Sequence, residues 1–164
     1  MLGVFLFYFS PRRVSPNSLN IRFENWFEIV STTQQEQPSW MTPLVTSSPR
    51  LEQEFRFDAL KQGSVTDVYG AGRGLDIIPA ERIQIVLGAP PYVVHHGSQL
   101  RDGIGDVFLL LKYRVASQNE QKGNYVVTAF LGASLPTGNP PNGLPHGVIT
   151  PSIALGKGWG LFDI

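Results

Sequence analysis

GDVFLLLKYRVASQNEQKGNYVVTAFLGASLPTG, residues 105–138, is the stretch whose reading decides the fold. Its odd positions are Val107, Leu109, Leu111, Tyr113 and Val115, then Tyr125, Val127, Ala129, Leu131, Ala133 and Leu135, all apolar or aromatic. The even positions mix charge, hydroxyl, glycine and some apolar residues: Asp106, Phe108, Leu110, Lys112, Arg114, then Val126, Thr128, Phe130, Gly132, Ser134. A period of two with one wholly apolar face is the signature of a β-strand. Each run is about 11 residues, long for a globular strand and close to the roughly 9–11 that a tilted strand needs to cross a bilayer. Length and alternation together point to a membrane.

Working outward, RLEQEFRFDALKQ (residues 50–62) sets Leu51, Phe55, Phe57 and Ala59 against Glu52, Glu54, Arg56 and Asp58. Residues 63–70 read as a loop, and AGRGLDII (71–78) as the next strand, with Arg73 as the one charge on the odd face. A tight connection at 79–81 leads into RIQIVLGAPPY (82–92), where Ile83, Ile85, Leu87 and Ala89 oppose Arg82, Gln84, Val86 and Gly88. Pro90 and Pro91 end that strand, because proline cannot donate to a ladder. A loop through His95, His96, Arg101 and Asp102 joins it to residue 105. After residue 135 come a turn-rich loop (136–148), a strand at 150–156, a short turn at 157–160 and a strand beginning at 161.

With one exception, long and short connections alternate along this series. Outer-membrane barrels have short periplasmic turns and long external loops, and a first strand running outward puts every long loop outside. Tyr113, Tyr125 and Trp159 then fall at the short-turn ends, Tyr69 and Tyr92 at the long-loop ends, as interfacial girdles would. The alternative is a soluble exported all-β binding or structural domain, a sandwich or lipocalin-like barrel, which also alternates with period two. Against it stands the near-absence of charge on the odd face.

Residues 1–49 read as an irregular leader and linker. MLGVFLFYF resembles the apolar region of a signal peptide, but Arg12 and Arg13 follow it rather than precede it; a non-native leader reads as well. Residues 20–30 could be helix or strand, and the polar tract 31–37 reads as extended linker. Ordered structure is expected from about Pro49, giving a partial barrel over 50–164.

Composition excludes more than it selects. Charged residues are 16% of the chain, against about 25% in a soluble domain. A formal net charge of zero gives no basis for binding nucleic acid. The absence of cysteine removes disulfide scaffolds, thiolate metal sites and thiol catalysis. No run approaches the roughly 18 apolar residues of a membrane helix.

WMTPLVTSSPRLEQEFRFD, GAGRGLDIIPAERIQIVLGAPPYVVH, GIGDVFLLLKYRVAS and GNYVVTAFLGASLPTG, within residues 39–164, resemble the outer-membrane transporter family grouped with the phenol-degradation MetA-pathway proteins. The resemblance implies a β-barrel in the outer membrane of a Gram-negative bacterium, passing hydrophobic or aromatic compounds. Members of that family continue through further strands. About six complete strands are read here, against eight in the smallest bacterial barrels. The chain is therefore expected to be the N-terminal portion of an up-and-down transmembrane β-barrel, unable to form a stable pore alone.

No catalytic constellation is present. Gly70, Gly72 and Gly74 miss the dinucleotide fingerprint, with leucine at 75 where the third glycine belongs. Gly132-Ala-Ser134 lacks the second glycine of a nucleophile elbow. His95, His96 and His146 have only Asp102 nearby and read as loop residues rather than metal ligands. The informative polar residues are those of the even face: Glu52, Glu54, Arg56, Asp58, Arg82, Gln84, Asp106, Lys112, Arg114, Thr128 and Ser134 are the candidate lumen lining. They read as a mutually satisfied network filling a narrow barrel in preference to a charge-selective constriction. Phe108, Leu110, Val126 and Phe130 share their face and suit an apolar solute. The expected activity is passive passage or binding of small hydrophobic compounds in the outer membrane. It is not enzymatic and needs no cofactor or metal; the partners are membrane lipid and the solute.

Overall fold

Alternation dictates extended backbone, and in the computed structural model, among the described residues, ten strands pair antiparallel in one sheet beside a single helix. The structure describes residues 3–7, 20–41, 47–97, 99–159 and 162–163, the side chains of 3–7, 20–24, 71–73 and 162–163 excepted; the outward placement of Arg73 therefore lies outside the described residues. In order the elements are β1 (Gly3–Phe7), α1 (Asn20–Gln35), β2 (Glu54–Gln62), β3 (Thr66–Ala80), β4 (Ile83–Gly88), β5 (Tyr92–His95), β6 (Gly103–Ile104), β7 (Val107–Gln118), β8 (Tyr125–Leu135), β9 (Val148–Trp159) and β10 (Phe162–Asp163). The sheet runs β1-β2-β3-β4-β7-β8-β9-β10, while β5 pairs with β3 and β6 with β5. Each main neighbour is next in sequence apart from the β5–β6 excursion, so the topology is up-and-down.

Register keeps parity over the middle of the sheet, up to the bulge that follows Arg114 on β7. Leu111 lies between Ile85 and Leu131, Lys112 between Gln84 and Phe130, and Leu131 pairs onward with Pro151. Odd residues therefore share one face over several strands, and even residues share the other. The odd face is apolar yet uncovered: Phe55, Phe57, Leu75, Ile85, Leu87, Leu111, Val115 and Leu135 are exposed, Leu131 is 47% exposed and Ile153 71%. The even face is polar yet buried, with Gln84 and Thr128 at 0% and Lys112 at 2%. This is the reverse of a water-soluble sheet, in which the apolar face is the covered one.

Four expectations need correction. Residues 31–37 are not an extended linker, and order does not begin near Pro49, because α1 runs through Gln35 and docks on the sheet. Pairing on β2 starts at Glu54 rather than residue 50. Leu51 is correspondingly not on the exposed face; it is fully buried with Val30 and Ile78, against Trp26. The loop expected at 63–70 is a tight turn at 63–65 flanked by ladder pairs from Gln62↔Thr66 onward. β3 absorbs its glycines at a bulge facing Arg56 and Asp58. Gly74 there has φ +75°, and a Cβ would overlap the Leu87 carbonyl oxygen, so no other residue fits. Finally, the loop expected between residues 92 and 105 forms the β5–β6 hairpin, continuing the sheet beyond the prolines.

Candidate functional site: a strapped polar face

The connections separate into two ends. Residues 81–82 and 119–124 turn at one end, which we call the short-turn end; residues 63–65, 89–97, 99–106 and 136–147 lie at the other. Ahead of β2, residues 49–52 cross the even face of the sheet. The Glu52 amide donates to Gln84 Oε1 on β4 (2.8 Å), Lys112 Nζ on β7 donates to Arg50 O (2.7 Å), and Thr128 Oγ1 on β8 donates to Pro49 O. At β9, the Trp40 ring lies where Gly156 has no side chain, with Pro49 beside it. Three residues of extended chain span about 10 Å, which matches two strand spacings of about 4.8 Å. The strap therefore meets one polar group per strand as it crosses.

α1 and the start of the strap are held at the short-turn end. Arg114 Nη1 donates to Thr33 O (2.6 Å), and its Nη2 to Glu81 O (2.9 Å) and Glu36 Oε2 (3.0 Å). Trp26 Nε1 donates to Ile78 O (2.7 Å) and Thr33 Oγ1 to Glu81 O (3.2 Å). The Gln37 carboxamide pairs twice with the Leu51 backbone, closing the strap on itself. Trp40 Nε1 donates to Asn124 Oδ1 (2.8 Å), and Asn124 holds a left-handed φ of 51° in the β7–β8 turn. The Ser39 amide donates to the Glu120 carboxylate, and this bond holds that carboxyl below its usual range.

Eight of the candidate residues, Glu52, Glu54, Arg56, Asp58, Gln84, Lys112, Arg114 and Thr128, are buried. Gln84, Lys112, Thr128 and Arg114 hold the strap and α1. On β2 and β3 the face is charged: Arg56 Nε donates to Asp58 Oδ1 (2.9 Å), and Gln84 Nε2 donates to Asp76 Oδ2 (2.6 Å). Asp76, fully buried, belongs to this network; it is absent from the candidates named from sequence, although its even position is the signal that places it on this face. Arg82 does not belong with the others. It is exposed, because it sits in the two-residue turn where period-two alternation stops. Asp106 and Ser134 lie half-buried at the far end. Asp106 there pins the 136–147 loop: Oδ1 accepts from the Gly138 amide and Oδ2 from the Leu144 amide, both at 2.8 Å. The Leu144 and Gly138 bonds draw its carboxyl below the usual value.

Beyond the strap, on β4, β7 and β8, the even face turns apolar. Val86, Leu110 and Phe130 pack together with Ala154, and Phe108 lies over the bare backbones of Gly88 and Gly132. Lys112 Nζ stands 5.8 Å from the Phe130 ring centroid, marking the boundary with the polar layer. Among the described residues no three His, Cys, Asp or Glu side chains are placed to hold a metal ion. His95 Nε2 instead contacts Asn142 Oδ1 (2.7 Å), and His96 pairs with Asp67 (2.9 Å). No protein-family model, curated protein or solved structure matches the chain.

Proposed function

We propose that this sheet is part of an outer-membrane β-barrel whose odd face meets lipid and whose even face lines a lumen strapped at the short-turn end. We propose further that the lumen binds or passes small hydrophobic or aromatic compounds without covalent chemistry. The inversion of the two faces carries the reading: apolar side chains stay uncovered while charged ones are buried and hydrogen-bonded. Leaving so broad an apolar surface in water forgoes about 25 cal/mol per Å², and soluble monomers rarely expose such a patch. Strand length agrees. β7 and β9 have 12 residues each and β8 has 11; at about 3.3 Å per residue and a tilt of roughly 45° they cover about 25–28 Å, matching an apolar band of about 25 Å. The exposed Trp159 lies at one end of β9, and Tyr69 and Tyr92, paired with each other, lie toward the other end of the sheet. The likeness of residues 39–164 to the outer-membrane transporter family points the same way.

We take the solute class from the apolar cluster of Val86, Leu110 and Phe130, with Phe108 beside it, and propose it as the wall of a solute bay that presents two aromatic rings. The test has two arms. Refolded chain should float with phosphatidylcholine vesicles, and Leu111→Arg, which puts a charge among Ile85 and Leu131, should cost about 2–4 kcal/mol at the midplane and abolish flotation. An unchanged Leu111→Arg variant refutes the lipid face. In the second arm an apolar benzophenone should photolabel the peptides carrying Phe108 and Phe130, and excess biphenyl should compete only with those adducts. Adducts that biphenyl never displaces refute the solute bay.

A further inference from the structure

The Glu81–Arg82 turn carries one negative and one positive side chain, both exposed, at the tip of the β3–β4 hairpin. Three hydrogen bonds make it rigid: Glu81 O accepts from Thr33 Oγ1 and Arg114 Nη2, and Arg82 O from the Arg114 amide (2.8 Å). The bonds fix the backbone from which the two charged side chains extend, side by side, at the hairpin tip. Beside it opens a cleft of about 360 Å³ lined by Ile29, Pro79, Ala80, Glu81, Arg82, Ile83 and Tyr113. That volume lies within the range of small-ligand sites, roughly 300–1,000 Å³. Its apolar wall is not closed off. Ile83 pairs with Tyr113, and both continue along the odd face into Ile85 and Leu111.

A lone anion would meet Glu81 as well as Arg82, and a lone cation the reverse. A ligand bearing a phosphate next to an ammonium satisfies both, and an apolar tail has the odd face to follow. We propose that this turn and cleft bind one phospholipid with a primary-ammonium headgroup: Arg82 takes the phosphate, Glu81 the ammonium, and Ile29, Ile83 and Tyr113 the first methylenes of the chains. The site rests on the membrane reading above. It fits that reading physically, since arginine bonds phosphate oxygens in a fork.

The test is native mass spectrometry of the full chain refolded in detergent, offered equimolar phosphatidylethanolamine, phosphatidylcholine and phosphatidylglycerol. Phosphatidylethanolamine should be retained at least tenfold over phosphatidylcholine, whose quaternary ammonium cannot donate to Glu81. Arg82→Gln should lose retention of all three, and Glu81→Gln should lose only the preference for phosphatidylethanolamine. Glycerophosphoethanolamine, the same headgroup without chains, should bind at least tenfold more weakly. Equal retention by Arg82→Gln overturns the site, and equal binding of the chainless headgroup overturns its assignment to lipid. Flotation with phosphatidylcholine vesicles separates the two levels. A chain that floats but shows no headgroup preference refutes this site alone, whereas one that does not float refutes the membrane reading with it.

Discussion

Replacing Arg114 with methionine should free the strap while leaving the sheet in place. Methionine keeps most of the apolar stem, so the change removes chiefly the guanidinium, which is 3% exposed. Its bonds to the Thr33 and Glu81 carbonyls are charge-assisted, worth about 1.5–3 kcal/mol each. The bond to Glu36 adds little, because that carboxylate is 57% exposed and its attraction is screened by water. Burying a guanidinium offsets part of this gain, leaving about 2–4 kcal/mol of net stabilisation of the docked strap. The chain has no cysteine, so Val30→Cys places a single thiol under α1, where Val30 packs on Leu51 and Ile78. If labelling of that thiol follows the open population, Arg114→Met should raise its rate about 30- to 700-fold. Far-UV circular dichroism should keep its strand signal. A labelling rate within threefold of the parent, with the sheet intact, would refute the assignment of Arg114 as the strap's anchor.

Asp106 makes the 136–147 loop acid-sensitive. Its carboxyl is held below the ordinary 3.8, so the stabilisation is complete above that value and is lost as pH falls through the lower folded-state value. Amide exchange at Gly138 and Leu144 should accelerate over that window, and Asp106→Asn should exchange fast and without the pH step. Gly158→Ala would drive a methyl into the Asn124 side-chain amide; Asn124 should swing aside, lose the Trp40 indole and cost about 1 kcal/mol, seen as faster exchange of the indole N–H. Gly74→Ala meets backbone rather than a movable side chain and should cost more than about 2 kcal/mol, lowering refolding yield where Gly63→Ala, with open space around it, loses only its left-handed turn.

Strands with an unbroken period of two were legible from sequence, and β7 and β8 agree with alternation almost residue for residue. What escaped was structure whose cause lies far along the chain. Thr33, Gln37 and Pro38 are buried, but they face a polar surface, so their segment carries no apolar stripe and resembles a linker. Their partners Glu81, Arg114 and Leu51 are not visible in a local window. Glycine misled in the same way at residues 63–74, where left-handed residues at Gly63, Gly70 and Gly74 shape a turn and a bulged strand rather than a loop. Arg82 was misplaced because parity says nothing within a turn. Of the candidate site, the polarity and burial of the even face were legible; that a crossing strap would consume Gln84, Lys112 and Thr128 was not.

The strap also imposes an order on assembly. Its anchors join residues about eighty apart, Thr33 to Arg114, Glu36 to Ser117 and Trp40 to Asn124. Trp26 and Thr33 can meet Ile78 and Glu81 as soon as the β3–β4 hairpin exists, but residues 33–40 complete their docking only once β7 and the β7–β8 turn have followed. Such distant pairings are slow, since loop closure must precede the contacts that reward it. During that wait the polar groups of residues 33–40 that later meet Arg114, Ser117 and Asn124 stay unpaired with the sheet. A chaperone that shields residues 33–40 would thus cover the anchors that wait longest for their partners.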